Sequence, residues 1–208
     1  MSDFLDKFEH NVTSKNKTET DYIEVEDESL KIAMDGAGFA YGRLYLLNGH
    51  DHACLFACLK MALEAQRKGF LCIVDNECMI DNKMIDKFSL DKEFLLYHQV
   101  EEQNDMFDIL SILLKTNTLK VIIFNTILSL FPITVDIKEF TVKLNTFMVE
   151  FKHSNCCVFI VNPYNNLTYT FLNDYIDVII NTYFVKDGKI ACNFIKNEVN
   201  FTYNNFVL

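Results

Sequence analysis

The stretch Gly36-Ala-Gly-Phe-Ala-Tyr-Gly-Arg-Leu-Tyr-Leu-Leu-Asn-Gly49 decides the fold of this chain. Its first glycines mark a turn, its apolar centre predicts a buried strand, and its last glycine stands where that strand should end. The segment Ala53–Lys68 has apolar residues at helical spacing and stops before Gly69. A buried strand, a tight turn and an amphipathic helix are typical of the opening unit of an α/β sheet.

The turn between this strand and this helix has the position of a phosphate-binding loop but not its residues. Such a loop reads G-x-x-x-x-G-K-[ST], because backbone N–H groups, a helix N-terminus and a lysine together neutralise phosphate. The residues at this turn are Gly49, His50, Asp51, His52, Ala53 and Cys54. They include no second glycine, no lysine, no serine and no threonine. The sequence therefore predicts a fold of the nucleotide-binding type with little capacity to bind a nucleotide.

The rest of the chain alternates apolar strands with amphipathic helices. Leu119–Asn125 is a nearly continuous apolar run, which is typical of a strand buried on both faces of a sheet. Val185-Lys-Asp-Gly188 is a hairpin turn signal. We predict strands over 43–48, 70–75, 94–98, 119–125, 156–161, 175–184, 189–196 and 199–207, and helices over 53–68, 80–88, 106–116 and 137–151. This order predicts an α/β fold with a mostly parallel central sheet, helices on both faces and a C-terminal antiparallel extension.

The length of 208 residues predicts one main domain, which we place at residues 21–208. Residues 1–20 are predicted to form an N-terminal helical arm and linker. The arm is polar except for Phe4, Leu5 and Phe8, which share one face of a short helix. Because so short a helix is not stable alone, this face should dock either on this domain or on another chain. We predict the three residues as partner-binding residues, with docking inside the chain as the alternative.

The balance of charged residues indicates whether nucleic acid is an expected partner. The chain has 19 Lys and Arg against 29 Asp and Glu, a net charge of -10. A protein that mainly grips nucleic acid carries a basic surface, because phosphate contacts supply most of the affinity. We therefore expect binding to DNA to be weak or indirect. A small basic edge remains compatible with this balance, and Lys186, Lys189 and Lys196 are candidates for it.

Seven cysteines in no regular framework and a polar N-terminus without a signal peptide predict an intracellular protein, cytoplasmic or nuclear, with reduced thiols. No uncharged apolar run reaches about 18 residues, so no membrane span is expected. His50 and His52 could ligate a metal, but no third and fourth ligand accompany them. We therefore predict no metal site.

Four segments resemble landmarks of the RecA family of recombinase ATPases, and they occur in the family's order. Leu30–Leu44 resembles the segment that leads into the phosphate loop of RecA. Cys72–Glu77 resembles the strand that presents the catalytic glutamate, and Val121–Pro132 resembles the strand that carries the magnesium-associated aspartate. Ser154–Asn162 resembles the strand that senses the state of the nucleotide.

The resemblance implies that the family's ATP chemistry is degenerate here. Ala53–Leu55 stand where the family has the phosphate-loop lysine and hydroxyl, and Asn125 stands for the aspartate that a hard cation prefers. Asn162 is followed by Pro163 instead of a glutamine. Glu77 alone remains of the catalytic set, and we interpret it as a relic. The residues from Gly49 to Cys54, with Asn125 and Asn162, are then a degenerate nucleotide site for which no cofactor is expected.

The resemblance leaves three functions open. The first is an ATPase-dead RecA-like paralogue that acts by protein association in DNA recombination or repair, with a RecA-like recombinase, a paralogous subunit or a second copy as its partner. The second is a divergent DNA-dependent ATPase that binds single-stranded DNA, uses ATP and magnesium, and has Glu77 as its base. The third is a RecA-fold scaffold outside DNA metabolism, comparable with the ATPase-dead RecA-like subunits of the Elongator complex.

Overall fold

A computed structural model describes residues 22–49, 52–98, 106–126, 137–163, 172, 174–199, 201 and 205–208. In chain order the strands are β1 Tyr22–Ile23, β2 Phe39–Ala40, β3 Leu44–Gly49, β4 Phe70–Val74, β5 Leu95–His98, β6 Leu119–Asn125, β7 Cys157–Asn162, β8 Val178–Phe184, β9 Ile190–Asn197 and β10 Asn205–Val207. The α-helices are α1 Glu28–Ala33, α2 Ala53–Gln66, α3 Asn82–Lys87, α4 Met106–Lys115 and α5 Ile137–Lys152.

The described strands form one large sheet and one small sheet. The large sheet has eight strands in the order β10-β9-β8-β3-β7-β6-β4-β5, and β1 pairs with β2 apart from it. The six strands from β8 to β5 in this order are parallel to their neighbours, whereas β9 and β10 are antiparallel. The predicted α/β class, with its mostly parallel sheet and antiparallel C-terminal extension, is confirmed.

Successive side chains of a strand point to opposite faces of the sheet, so the core has two layers. Tyr45 and Leu47 point to the side covered by α1, α2 and α3, where they pack with Phe159. Leu44 and Leu46 point to the side covered by α4 and α5. Because both faces of the central strands are covered, those strands are apolar almost throughout, and every residue of β7 is buried.

Hydrogen bonds and ion pairs hold the acidic segment before α1 against the end of α2. Asp27 caps α1 by accepting a hydrogen bond from the backbone N–H of Leu30 at 2.9 Å. The buried carboxylate of Glu64 on α2 accepts the backbone N–H of Asp27 at 3.0 Å. Arg67 bonds to Glu26, and Lys68 lies 3.0 Å from Glu24. The sequence analysis did not predict β1, α1 or β2, because these elements are short and depend on such contacts.

Most element boundaries lie within one or two residues of the predictions, and the strand predicted over 175–184 begins at Val178. Two further elements differ in extent. The final strand is not continuous over 199–207, because Val199 lies in a turn and Phe201 is outside any strand; of the residues described there, Asn205–Val207 form the strand. The helix predicted over 80–88 begins only after Asp81, whose side chain accepts the backbone N–H of Met84 at 2.8 Å. No helix among the described residues is both long enough and apolar enough to span a bilayer. The predicted arm, residues 1–20, lies outside the described residues.

Candidate functional site

The carboxyl ends of the parallel strands place the predicted site residues at one edge of the sheet. Gly49 ends β3, Asn125 ends β6 and Asn162 ends β7. In open α/β sheets this edge is where ligands bind. The site is therefore built from the residues that follow these strands and from the beginning of α2.

The end of β3 is closely packed against β8 and α2. A Cβ atom added to Gly49 would lie 2.4 Å from Thr182 Oγ1, 2.8 Å from the Thr182 carbonyl oxygen and 3.2 Å from Cys54 Cβ. Only glycine fits there, so the reason for this glycine is the close approach of β8. His50 and Asp51 follow it and lie outside the described residues.

The start of α2 presents apolar side chains to the interior. Ala53 and Cys54 are fully buried, and His52 makes no side-chain capping bond at this end of the helix. Burial raises the pKa of the Cys54 thiol to about 11, so the thiol is neutral at ordinary pH. No lysine or arginine occurs from His52 to Phe56. The first turn of α2 therefore offers backbone dipoles but no side-chain cation to an anion.

A group of aromatic rings lies against this first turn. The His52 ring stacks on Phe56 at a centroid distance of 5.9 Å, and Phe56 meets Phe88 at 5.2 Å and Phe184 at 5.9 Å. The Lys87 Nζ atom lies 4.5 Å from the centre of the Phe56 ring. We call these five residues the aromatic patch. Sequence reasoning missed it, because its members come from α2, the end of α3 and the end of β8.

Asn125 is joined to a buried carboxylate that the sequence analysis did not single out. Asp75, directly after β4, has no exposed surface. Its Oδ1 accepts a hydrogen bond from Asn125 Nδ2 at 3.1 Å. Its Oδ2 accepts hydrogen bonds from the Tyr97 hydroxyl at 2.9 Å and the Ile80 backbone N–H at 2.8 Å. Three hydrogen-bond donors thus surround this carboxylate. One of them is the amide of Asn125, and an ionised aspartate at position 125 could not donate this bond.

Tyr97 contributes a neutral hydroxyl to this group. Burial of the tyrosine and its hydrogen bond to Asp75 raise the pKa of Tyr97, because both disfavour the phenolate. The hydroxyl therefore keeps its proton and donates to Asp75 at physiological pH. The signal for Asp75 was present in the sequence as a carboxylate that directly follows an apolar strand, two residues before Glu77.

Glu77 is exposed at the same edge of the sheet. Its Oε1 lies 3.4 Å from the hydroxyl of Thr126, which directly follows β6. The peptide bond between Asn125 and Thr126 is cis. The structure thus places Glu77 beside the end of β6.

Asn162 pairs with the neighbouring strand, apart from Asp75 and Asn125. Its Nδ2 donates to Asn48 Oδ1 at 2.9 Å, and Thr182 Oγ1 donates to the Asn48 carbonyl at 3.0 Å. Asn162 is 3% exposed, and its Oδ1 has no hydrogen-bond partner among the described residues. The predicted nucleotide-site asparagines therefore belong to two separate polar groups. Among the described residues, no cluster of three or more His, Cys, Asp or Glu could hold a metal ion.

The sequence of this chain matches a family of known proteins. The family model of the RecA N-terminal domain matches residues 9–153, more than half of the 208 residues. The match includes β3, α2, Glu77 and Asn125. No curated protein matches the chain.

Proposed function

The chain belongs to the RecA family, and on that premise we propose that it is an ATPase-dead paralogue acting by protein association in DNA recombination or repair. The observation that carries the proposal is the hydrogen bond from Asn125 to the buried Asp75. By resemblance, Asn125 stands where the family has its magnesium-associated aspartate. The hydrogen bond engages this side chain inside the protein.

A triphosphate does not fit the residues at the start of α2. Phosphate binding at a helix N-terminus relies on accessible backbone N–H groups and, in phosphate loops, on a lysine. Here Gly49 packs against Thr182 and Cys54, and no cation follows in the first turn. The backbone dipoles of α2 remain, but no lysine or arginine accompanies them from His52 to Phe56.

A magnesium ion does not fit the residues at the end of β6. A hard cation prefers carboxylate oxygens, and Asn125 offers only an amide oxygen. Its Nδ2 donates to Asp75, whose oxygens already accept bonds from Tyr97 and Ile80. Binding a cation through Asp75 would require these bonds to rearrange. We therefore derive no catalytic step through a metal or a nucleotide.

Association is the activity left to a RecA-like domain that lacks this chemistry. The proposed partner is a RecA-like recombinase, a paralogous subunit or a second copy of the chain. We propose that Phe4, Leu5 and Phe8 provide the contact. The net charge of -10 favours a protein partner over direct binding to DNA.

Affinity purification of the full chain from its native host tests the association. The proposal predicts that a RecA-like recombinase or paralogous subunit is enriched, and that replacing Phe4, Leu5 and Phe8 together by serine abolishes the enrichment. Replacing Ser2 and His10 by alanine is the matched control in the same arm. Enrichment of partners unrelated to DNA metabolism alone would contradict the proposal and favour a scaffold of another kind.

A second candidate function rests on Glu77, which is exposed beside the end of β6. In this alternative the chain is a divergent DNA-dependent ATPase with Glu77 as its general base. It predicts phosphate release from ATP that single-stranded DNA stimulates and that Glu77→Gln abolishes, with Glu93→Gln as an exposed control. The absence of release by the wild-type chain would remove this alternative.

A further inference from the structure

The aromatic patch is an exposed apolar surface at the carboxyl edge of the sheet. Phe184 is 44% exposed, while Phe56 and Phe88 are partly buried against the core. The rings contact one another at centroid distances of 5.2 to 5.9 Å, so they form one cluster in which Phe184 is the most exposed phenylalanine. An apolar surface of this kind on a charged protein is typical of an interaction site.

The patch is basic, unlike the chain as a whole. The segments that form it and continue from it are 52–60, 83–88 and 184–189. They carry two aspartates, Asp86 and Asp187, and one of these is paired with Lys92 at 2.6 Å. They carry five lysines: Lys60, Lys83, Lys87, Lys186 and Lys189. An occupant of this surface should therefore combine apolar residues with negative charge.

The first ten residues of the chain have this composition. They include Phe4, Leu5 and Phe8, which fall on one side at helical spacing. They also include three acidic residues, Asp3, Asp6 and Glu9, and one lysine. This segment lies outside the described residues, and the chain enters the described structure at Tyr22.

We propose that residues 1–10 dock on the aromatic patch of the same chain when the protein is free. Phe4, Leu5 and Phe8 contact the rings of Phe56 and Phe184, and the net negative charge of the segment is attracted by the lysine-rich segments that form the patch. The proposal concerns the protein without its partner, so it stands or falls independently of the proposed function.

The connecting chain is long enough for this contact. Its entry is near the end of α2, since Glu24 and Glu26 pair there with Lys68 and Arg67. Phe56 is eleven residues before Arg67 in that helix, about 16 Å along its axis. Residues 9–21 span up to about 40 Å when extended. The segment therefore reaches the patch of its own chain.

Docking within one chain is favoured over docking between two copies. A tethered segment has an effective concentration in the mM range, above the micromolar concentration of a typical solution. Two copies also repel each other, because each has a net charge of -10. A partner that binds Phe4, Leu5 and Phe8 would have to displace the segment from the patch.

Photo-crosslinking of the full chain tests the proposal. The photoreactive residue p-benzoylphenylalanine replaces Phe8 in one variant and His10, on the opposite side at helical spacing, in the control. The expected crosslinks from position 8 are intramolecular and map to residues 52–60, 83–88 or 184–189, with at least a fivefold higher yield than from position 10. Crosslinks that map elsewhere, that occur only between two chains, or that do not form would overturn the proposal.

Charge reversal tests the role of the lysines with the same readout. Lys87→Glu should lower the crosslink yield from position 8 at least fivefold, and Phe184→Ser should do the same. Lys138→Glu, on the opposite face of the sheet, makes the same charge change and should leave the yield unaltered. Far-UV circular dichroism establishes that each variant is folded. Equal yields in Lys87→Glu and Lys138→Glu would contradict the predicted charge attraction.

Discussion

Replacing Asn125 by aspartate restores the residue type that the RecA resemblance expects, and it also places a second carboxylate beside the buried Asp75. The wild-type bond from Asn125 Nδ2 to Asp75 Oδ1 is 3.1 Å long. In the variant an oxygen replaces the donor nitrogen. We expect Asn125→Asp to destabilise the protein strongly at neutral pH, because the hydrogen bond is lost and two like charges are brought together.

The magnitude follows from these two effects. Losing a hydrogen bond to a charged group costs about 1.5–3 kcal/mol. Two unit charges about 3 Å apart repel by about 5 kcal/mol at an effective dielectric constant of 20. The pair can avoid the repulsion by retaining one proton, which costs about 4 kcal/mol at pH 7 for a carboxyl with an ordinary pKa of about 3.9. We therefore expect a loss of about 3–5 kcal/mol at pH 7.

The pH dependence has a definite sign. Repulsion raises the pKa of the carboxyl pair in the folded variant above its unfolded value. The folded variant therefore binds more protons than the unfolded chain, and its stability relative to wild type rises as pH falls. Once protonated, the introduced carboxyl group can also donate a hydrogen bond to Asp75. The difference in unfolding free energy should shrink from pH 8 towards pH 5.

Urea unfolding followed by far-UV circular dichroism at pH 5 to 8 measures this effect. Asn125→Ala is the control, since it removes the hydrogen bond without adding charge. It should cost about 1.5–3 kcal/mol with little dependence on pH. If Asn125→Asp were as stable as wild type across the whole range, the reasoning about the buried pair would be refuted.

Three further predictions concern other parts of the fold. Gly49→Ala should cost about 1–3 kcal/mol in urea unfolding, because its Cβ would lie 2.4 Å from Thr182 Oγ1; wild-type stability would contradict the close packing of β3 and β8. Arg43→Ala should lower the unfolding free energy by about 2–4 kcal/mol, because it removes the cation that lies 2.6 Å from the buried Asp177. Lys68→Ala, which removes an exposed ion pair, should cost less than about 1 kcal/mol. Equal losses in the two variants would contradict the difference in burial. Of the seven cysteines only Cys78 is exposed. One thiol should therefore react rapidly with an aromatic disulfide reagent in the native protein, and none should do so in Cys78→Ser. Rapid reaction of several thiols would contradict the packed core.

The sequence predicts the sheet because its strands carry their own signal. Leu119–Asn125 and Cys157–Asn162 are apolar runs, and burial on both faces of a parallel sheet requires such runs. The segment before β3 was not predicted, because β1 and β2 have two residues each and α1 depends on the Asp27 cap. For such short elements, tertiary contacts decide the structure more than local pattern does.

The candidate site was only partly predictable. The ends of apolar strands place Asn125 and Asn162 at the same edge of the sheet, since β6 and β7 are parallel. Their hydrogen-bond partners could not be inferred, because pairing Asn125 with Asp75 requires β6 to lie beside β4. The aromatic patch was missed for the same reason: Phe56, Phe88 and Phe184 are far apart in sequence and meet only in the folded chain.

We propose that the carboxyl edge of this RecA-family domain does not accept a nucleotide. Isothermal titration calorimetry of magnesium-ATP into the full chain tests it most directly, with ADP and magnesium alone titrated as controls. The account predicts no saturable heat of binding up to about 1 mM nucleotide, which corresponds to a binding free energy weaker than about -4 kcal/mol. Saturable binding of magnesium-ATP with a micromolar Kd, weakened by Asn125→Ala, would contradict it.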